Sequence, residues 1–285
     1  MPRHVGIVCS LLLFLAGCGH QAGVRSLKEL REAPLYSFNE HELDAFLKWL
    51  ADEPMTGSAR VVMLARKNIG QPYQIYLLGE YPYELWDADP MYCLSASDCV
   101  TFVEHTYAMA LAKDWASFFR TLQRIRYKDG KVGMLNRNHF TEADWNINNA
   151  WLFEDVTVTL AAGKSQLMKT VIDRAAFFKK KLGGLRRHIP LQHFESAYIR
   201  TKELREVLPR LHDGDVIEFV KGNDKSQYVS HMGLIMHAED GGVTLLHSAA
   251  PAVREEPLLG YVDRHREILG VKFLRASLQA ASIEE

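Results

Sequence analysis

Four residues of this 285-residue chain have the types and the company that nucleophilic catalysis needs: Cys99, the Asp98 before it, and the histidines His231 and His247. Cys99 opens a stretch in which Val100, Val103, Tyr107, Ala110 and Leu111 recur at helical spacing, which predicts an amphipathic helix. Ser97 and Asp98 are residue types that cap such a helix by accepting its free N–H groups. A thiol there lies beside those N–H groups and the positive end of the helix dipole, so its pKa is expected to fall. The alternative is a small buried cysteine with no chemistry, and a base elsewhere in the chain decides between the two.

That base comes from a hairpin. Tyr228 to His237 and Val243 to Ser248 read as strands joined by the turn Ala238-Glu-Asp-Gly-Gly242. If the turn centres on Asp240, Gly233 faces His247, and His231 lies diagonal to His247 on the same face, roughly 7–8 Å away across the strands. His231 is then the expected base and His247 the group that holds its tautomer, with Gly233 leaving the space between them open. His237 shares the face but lies too far along the strand to join them. A zinc site made of the two histidines and the Asp98–Cys99 turn is a second reading of the same residues.

Other elements must position this pair. Asn39 to Leu50, Ser58 to Ile69 and the stretch after Asp114 read as packing helices, and Gln74 to Ser97 as an irregular binding segment that includes or adjoins Tyr73. Leu135 to Asn149 is dense in Asn, His, Arg and Trp. Arg137, His139 and Trp145 offer hydrogen bonding and flat aromatic surface suited to a sugar, and Ser230, beside His231, is a further candidate substrate contact. Glu154 to Leu160 alternates as a strand, and Gln166 to Leu182 is ambiguous between strand and helix.

Composition narrows the class. Hydrophobic residues make up 47% of the chain, enough for a sizeable core, and a net charge of −1 leaves no basic excess to track a nucleic-acid backbone. Residues 1–17 read as a signal peptide with an apolar run too short to span a bilayer. With Cys9 in that leader and Cys18 after it, only Cys93 and Cys99 remain in the body of the chain, and a disulfide between those two would silence Cys99. The expected division is signal peptide 1–17, tether 18–35, helical subdomain 36–70 and catalytic domain 71–280.

Leu15-Ala-Gly-Cys18 resembles the lipobox of bacterial lipoproteins, which implies a lipid anchor at Cys18 and, with Gly19 following, an outer-membrane location. Five pieces in order, Gly70-Gln-Pro-Tyr73, Asp98-Cys99, Gly214-Asp-Val-Ile-Glu-Phe219, His231-Met-Gly-Leu-Ile235 and Leu246-His-Ser248, resemble the NlpC/p60 superfamily of papain-like cysteine peptidases. The resemblance implies an α+β papain-like core, a helical half carrying Cys99 on an antiparallel sheet or partial barrel carrying the histidines. It implies the roles nucleophile, base and third residue for Cys99, His231 and His247, and places Tyr73 at the site's rim. The run Asp98-Cys-Val-Thr-Phe-Val-Glu104 and the long Cys-to-His spacing depart from the endopeptidases of the superfamily. Together with Arg137-Asn-His-Phe-Thr and Asp144-Trp145, they are similar to its N-acetylmuramoyl-L-alanine amidase branch. That branch implies peptidoglycan fragments, anhydro-muropeptides, as substrate; the mechanism expected of the three residues needs no metal or cofactor, and a monomer is expected. D-Glu–diaminopimelate cleavage and a non-catalytic peptidoglycan-binding lipoprotein are the competing readings.

Overall fold

The computed structural model describes residues 25–85, 87–183, 188–223 and 225–278. The leader 1–17, Cys18 and the first residues of the tether lie outside them.

One layer is helical: α1 (Leu27–Glu32), α2 (Glu40–Asp52), α3 (Gly57–Arg66), α4 (Cys99–Leu111) and α5 (Trp115–Arg126). Their starts are set locally. Reciprocal capping pairs close at Ser26 and Glu29, Asn39 and Glu42, Asp98 and Thr101, and Asp114 and Ser117, and Thr56 caps α3, which starts at Gly57, one residue before the expected start. α1 lies within the stretch expected as a tether, and its Leu30 is 1% exposed and belongs to the main core. That core joins Leu43, Phe46 and Leu47 of α2 to Val61, Phe102 and the sheet residues Val216, Leu234 and Leu246. Residues of 36–70 thus share a hydrophobic core with α4 and the sheet.

The other layer is a sheet of β1 (Phe153–Asp155), β2 (Gln166–Ile172), β3 (Gln192–Arg200), β4 (Val216–Asn223), β5 (Ser226–His237), β6 (Val243–Ala249), β7 (Ala252–Pro257) and β8 (Gly270–Ala276). Its order is β2-β3-β8-β4-β5-β6-β7, with β1 on β8, and all its pairings are antiparallel. The sheet is open and does not close into a barrel. The hairpin β5–β6 pairs Leu234 with Leu246 and Ile235 with Leu245, the register expected from a turn centred on Asp240.

Short helices fill the insertions: α6 (Asn146–Asn148), α7 (Thr157–Ala161), α8 (Arg174–Leu182) and α9 (Leu204–Val207). The strand expected over 154–160 stops at Asp155, whose carboxylate takes the Thr157 N–H at 3.0 Å and starts α7. Burial of Leu160 and Ala161 against Ile199 and Phe273 then outweighs the β preference of a Val-Thr-Val-Thr run. α10 (Leu258–Arg264) covers the outer face of the sheet, where Leu258 and Tyr261 pack on Phe219, Ile235 and Leu245.

Candidate active site

α4 places Cys99 at its first position. Asp98 Oδ1 accepts from Thr101 N at 2.8 Å and Thr101 Oγ1 accepts from Asp98 N at 2.8 Å, which locks the turn before the cysteine. The N–H groups of Met232, Val100 and Cys99 itself point to the sulfur. Met232 follows His231, so β5 and the start of α4 meet at the thiol. Burial nevertheless pushes the Cys99 thiol up to about 12, with the Asp98 carboxylate adding to the shift. This overturns the expected fall: the N–H groups favour thiolate, but desolvation of the sulfur outweighs them. Cys93 and Cys99 are both free, so no disulfide competes for the sulfur.

His231 Nε2 lies 2.7 Å from His247 Nδ1, and His247 Nε2 lies 3.0 Å from Glu256 Oε1. The carboxylate can only accept, which fixes the order of protons along the chain. His247 carries its proton on Nε2 and donates it to Glu256. Its bare Nδ1 accepts from His231 Nε2–H, and His231 Nδ1 is left as the free lone pair. Arg254 Nε holds Glu256 Oε1 at 3.0 Å and Arg264 holds the other oxygen.

Two features aim His231. A β-bulge on β5 pairs Phe219 with His231 but Val220 with Val229, leaving Ser230 as the extra residue, its Oγ donating to Phe219 O at 3.1 Å. The rings of Phe219 and Tyr261 then stack on His231 with centroids 5.9 and 6.0 Å away. Enclosure pulls His231 down to about 3 and His247 to about 4, so both are neutral at physiological pH. The resting pair is a neutral thiol and a neutral imidazole.

Glu256 and Tyr261 were not read from the sequence. Glu256 was accessible to the diagonal rule applied one hairpin further: β6 and β7 pair Leu245 with Glu256, which makes Glu256 the diagonal neighbour of His247. Tyr261 had no local signal, because α10 reaches the site from the opposite face.

The remaining candidates divide. Tyr73 is half-buried, and its phenol is raised by burial and by the nearby Cys99 and Asp98, which puts it beside the nucleophile. Arg137 and His139 line a cavity of about 430 Å³ that runs past Asp98 and Val100. Arg137 is held there by Glu80, Asp87 and the carbonyl of Leu78, and His139 Nε2 by Met134 O at 2.7 Å. Trp145 is elsewhere: it is 1% exposed, packs on Phe153, and donates Nε1–H to Glu104 Oε1 at 3.0 Å. Its ring has no free face for a sugar, and it reaches the cavity only through Glu104. Residues Thr141–Trp145 form a π-turn in which Asp144 accepts the Phe140 N–H and pairs with Arg174.

A family model described as AmiA-like, N-acetylmuramoyl-L-alanine amidase-like, matches residues 63–271. The chain belongs to this family. The match spans Cys99, both histidines, Glu256, Tyr261 and the residues of the cavity named above. A solved structure of an N-acetylmuramoyl-L-alanine amidase from Bacteroides uniformis is similar at 25% identity, with a TM-score of 0.63 over 78% of this chain and 99% of that one. A Legionella pneumophila protein of the family-model DUF1460 shares the fold at 21% identity, with a TM-score of 0.74 over 83% of this chain and 94% of that one. No curated protein sequence matches. For an AmiA-like protein, the two layers thus supply a thiol from the helical side and a hydrogen-bonded histidine pair from the sheet side.

Proposed function

We propose that this AmiA-like protein is a cysteine-dependent amidase that cuts between the N-acetylmuramoyl group and L-Ala of peptidoglycan fragments. The observation that carries the mechanism is the chain His231–His247–Glu256, whose proton order leaves a basic lone pair on His231 beside the strand position that meets Cys99. The family description and the Bacteroides uniformis relative support the choice of bond.

In this mechanism His231 Nδ1 takes the thiol proton as Cys99 Sγ attacks the lactyl carbonyl carbon. Charge moves to the carbonyl oxygen, where N–H groups at the start of α4 stabilise it. The His231 imidazolium, steadied by His247 and Glu256, returns the proton to the L-Ala nitrogen as the C–N bond breaks. A water molecule, deprotonated by His231, then hydrolyses the thioester and restores the thiol. Because the thiol starts neutral, proton transfer accompanies attack and no thiolate stands ready beforehand.

The finer features follow from sequence resemblance: an NlpC/p60 relationship, soluble anhydro-muropeptides as substrate, and a lipoprotein anchored through Cys18 to the periplasmic face of the outer membrane. The test of cysteine dependence is Cys99→Ala, expected to lower kcat by ~10³-fold or more, in the range seen when a nucleophile acting with its base is removed. Activity within ten-fold of the unchanged protein would exclude the mechanism.

A further inference from the structure

Two departures from regular structure meet at one hydrogen bond. β5 carries the bulge at Ser230, and the π-turn Thr141–Trp145 sends the Trp145 N–H back to Phe140 O and the Asn146 N–H to Thr141 O. Such a turn holds one more residue than an α-helical one. Glu142, its second residue, is 4% exposed, and its Oε1 accepts the Val229 N–H, the last amide before the bulge. On the side away from β4, β5 pairs with β6 only from Leu234 to His237 among the described residues. The first half of β5 has no β6 beside it, and side chains hold it instead: Thr170 Oγ1 donates to Gln227 O at 2.7 Å, and Glu142 takes Val229. Past the bulge, the Met232 N–H points to Cys99 Sγ. The segment Val229 to Met232 is therefore held at one end by Glu142 and at the other by the nucleophile, with His231 between. The turn itself is fixed by Asp144 on Arg174 and by Asn146 Nδ2, which donates to Glu218 Oε2 at 3.0 Å.

We propose that Glu142 is a positioning residue for the base: its side-chain oxygen pins the β5 bulge and thereby sets the direction from which His231 meets the Cys99 thiol. The assignment rests on the Cys99–His231 reading above. A bulge is one extra residue in a strand, and an unpinned one can pass that residue to the next position. Each side chain it passes then turns to the other face of the sheet. For His231 that turn would break the bond to His247 and the stack on Phe219 and Tyr261. Glu142 opposes the slip because it holds the Val229 N–H in the present register. The bond needs an acceptor rather than a charge. Lys272, the cation whose charge reaches Glu142, is already paired with Asp155 at 2.8 Å. The insertion that carries Glu142 thus acts on the chemistry from behind the strand, through the backbone of β5.

The test measures three things on the full chain: steady-state turnover of a muropeptide, thermal melting, and the rate at which iodoacetamide alkylates Cys99, with peptide masses separating it from Cys93. In Glu142→Ala, kcat is expected to fall roughly 10- to 100-fold while KM stays within about three-fold, the scale of loss when a reacting group is displaced by about 1 Å. Alkylation of Cys99 is expected to slow at least ~5-fold, because His231 no longer faces the thiol proton. Glu142→Gln, whose amide oxygen can take the Val229 N–H, is expected to stay within about three-fold in both rates. Glu142→Asp keeps the charge but is one methylene short, so it should follow Glu142→Ala and serves in its place if that variant does not fold. Asn146→Ala cuts the turn's tie to Glu218 and leaves the bulge alone; it is expected to lose stability and to keep kcat within about two-fold. Alkylation at an unchanged rate in Glu142→Ala and Glu142→Asp overturns the assignment. So does a loss in Glu142→Gln as large as in Glu142→Ala, or a fall in kcat that tracks melting temperature equally in the Glu142 and Asn146 variants. Turnover surviving in Cys99→Ala would overturn the amidase reading instead, whereas alkylation judges Glu142 without any substrate.

Discussion

Replacing Glu256 by Gln probes the proton order of the site without altering its shape. Glu256 Oε1 accepts from His247 Nε2 and Arg254 Nε, both at 3.0 Å, and its other oxygen accepts from Arg264. A glutamine must turn its NH₂ toward one of these donors. If the NH₂ meets Arg264, the amide oxygen keeps His247 in its tautomer but contributes no charge. If it meets His247, the imidazole reverses, Nδ1–H donates to His231, and His231 holds its proton on the nitrogen that should receive one from Cys99. The loss of a charge-assisted hydrogen bond is worth about 1.5–3 kcal/mol. At 1.4 kcal/mol per decade, that is a fall in kcat of roughly 10- to 150-fold. The bond strengthens as His231 becomes cationic, so kcat falls while KM holds. The assay is steady-state turnover of a muropeptide from pH 4 to 9, with thermal melting as the control for folding. A kcat within two-fold of the unchanged protein would show that Glu256 does not set the tautomer and would refute the relay.

Two further perturbations follow from the same geometry. His231 and His247 are pulled to about 3 and 4 by enclosure, and the base works only when unprotonated, so activity is present above those values and lost as pH falls through them. The kcat/KM profile is therefore expected to stay flat from pH 8 to about 5 and to drop below that; an acid midpoint near 6.5, the ordinary value for histidine, would contradict the enclosure. At Gly233 an added Cβ would sit 2.7 Å from Leu245 Cδ1, 2.9 Å from His247 Cβ and 3.0 Å from Leu246 O. Gly233→Ala should cost about 1–3 kcal/mol of stability, read by denaturant unfolding, and reduce kcat by displacing His247; unchanged stability and turnover would show that the hairpin yields freely there.

What the sequence revealed was what its local chemistry controls. Asp98 before Cys99, Asn39 before Glu42 and Asp114 before Trp115 mark helix starts because each side chain satisfies N–H groups within three residues of itself. The β5–β6 register was legible because strand alternation and a glycine turn determine which residues share a face, and that alone brings His231 to His247. The thiol's ionisation was misjudged for a non-local reason: the helix start is visible in sequence, whereas the burial that outweighs it depends on how β5 packs over α4. The bulge at Ser230, the cover of Tyr261 and the diversion of Thr157 into a helix likewise depend on contacts with β4, α10 and β8. Trp145 was placed at the substrate by its residue type, while its neighbours Phe153 and Glu104 hold it in the core.

The central claim is cleavage of the muramoyl–L-Ala amide by Cys99, and product analysis tests it most directly. A disaccharide tetrapeptide, with and without an anhydro end, would be incubated with the protein and with Cys99→Ala under reducing conditions and examined by mass spectrometry. The account predicts free disaccharide and an intact tetrapeptide from the unchanged protein, and neither from the variant. A disaccharide still bearing L-Ala-D-Glu, or equal products from Cys99→Ala, would contradict it.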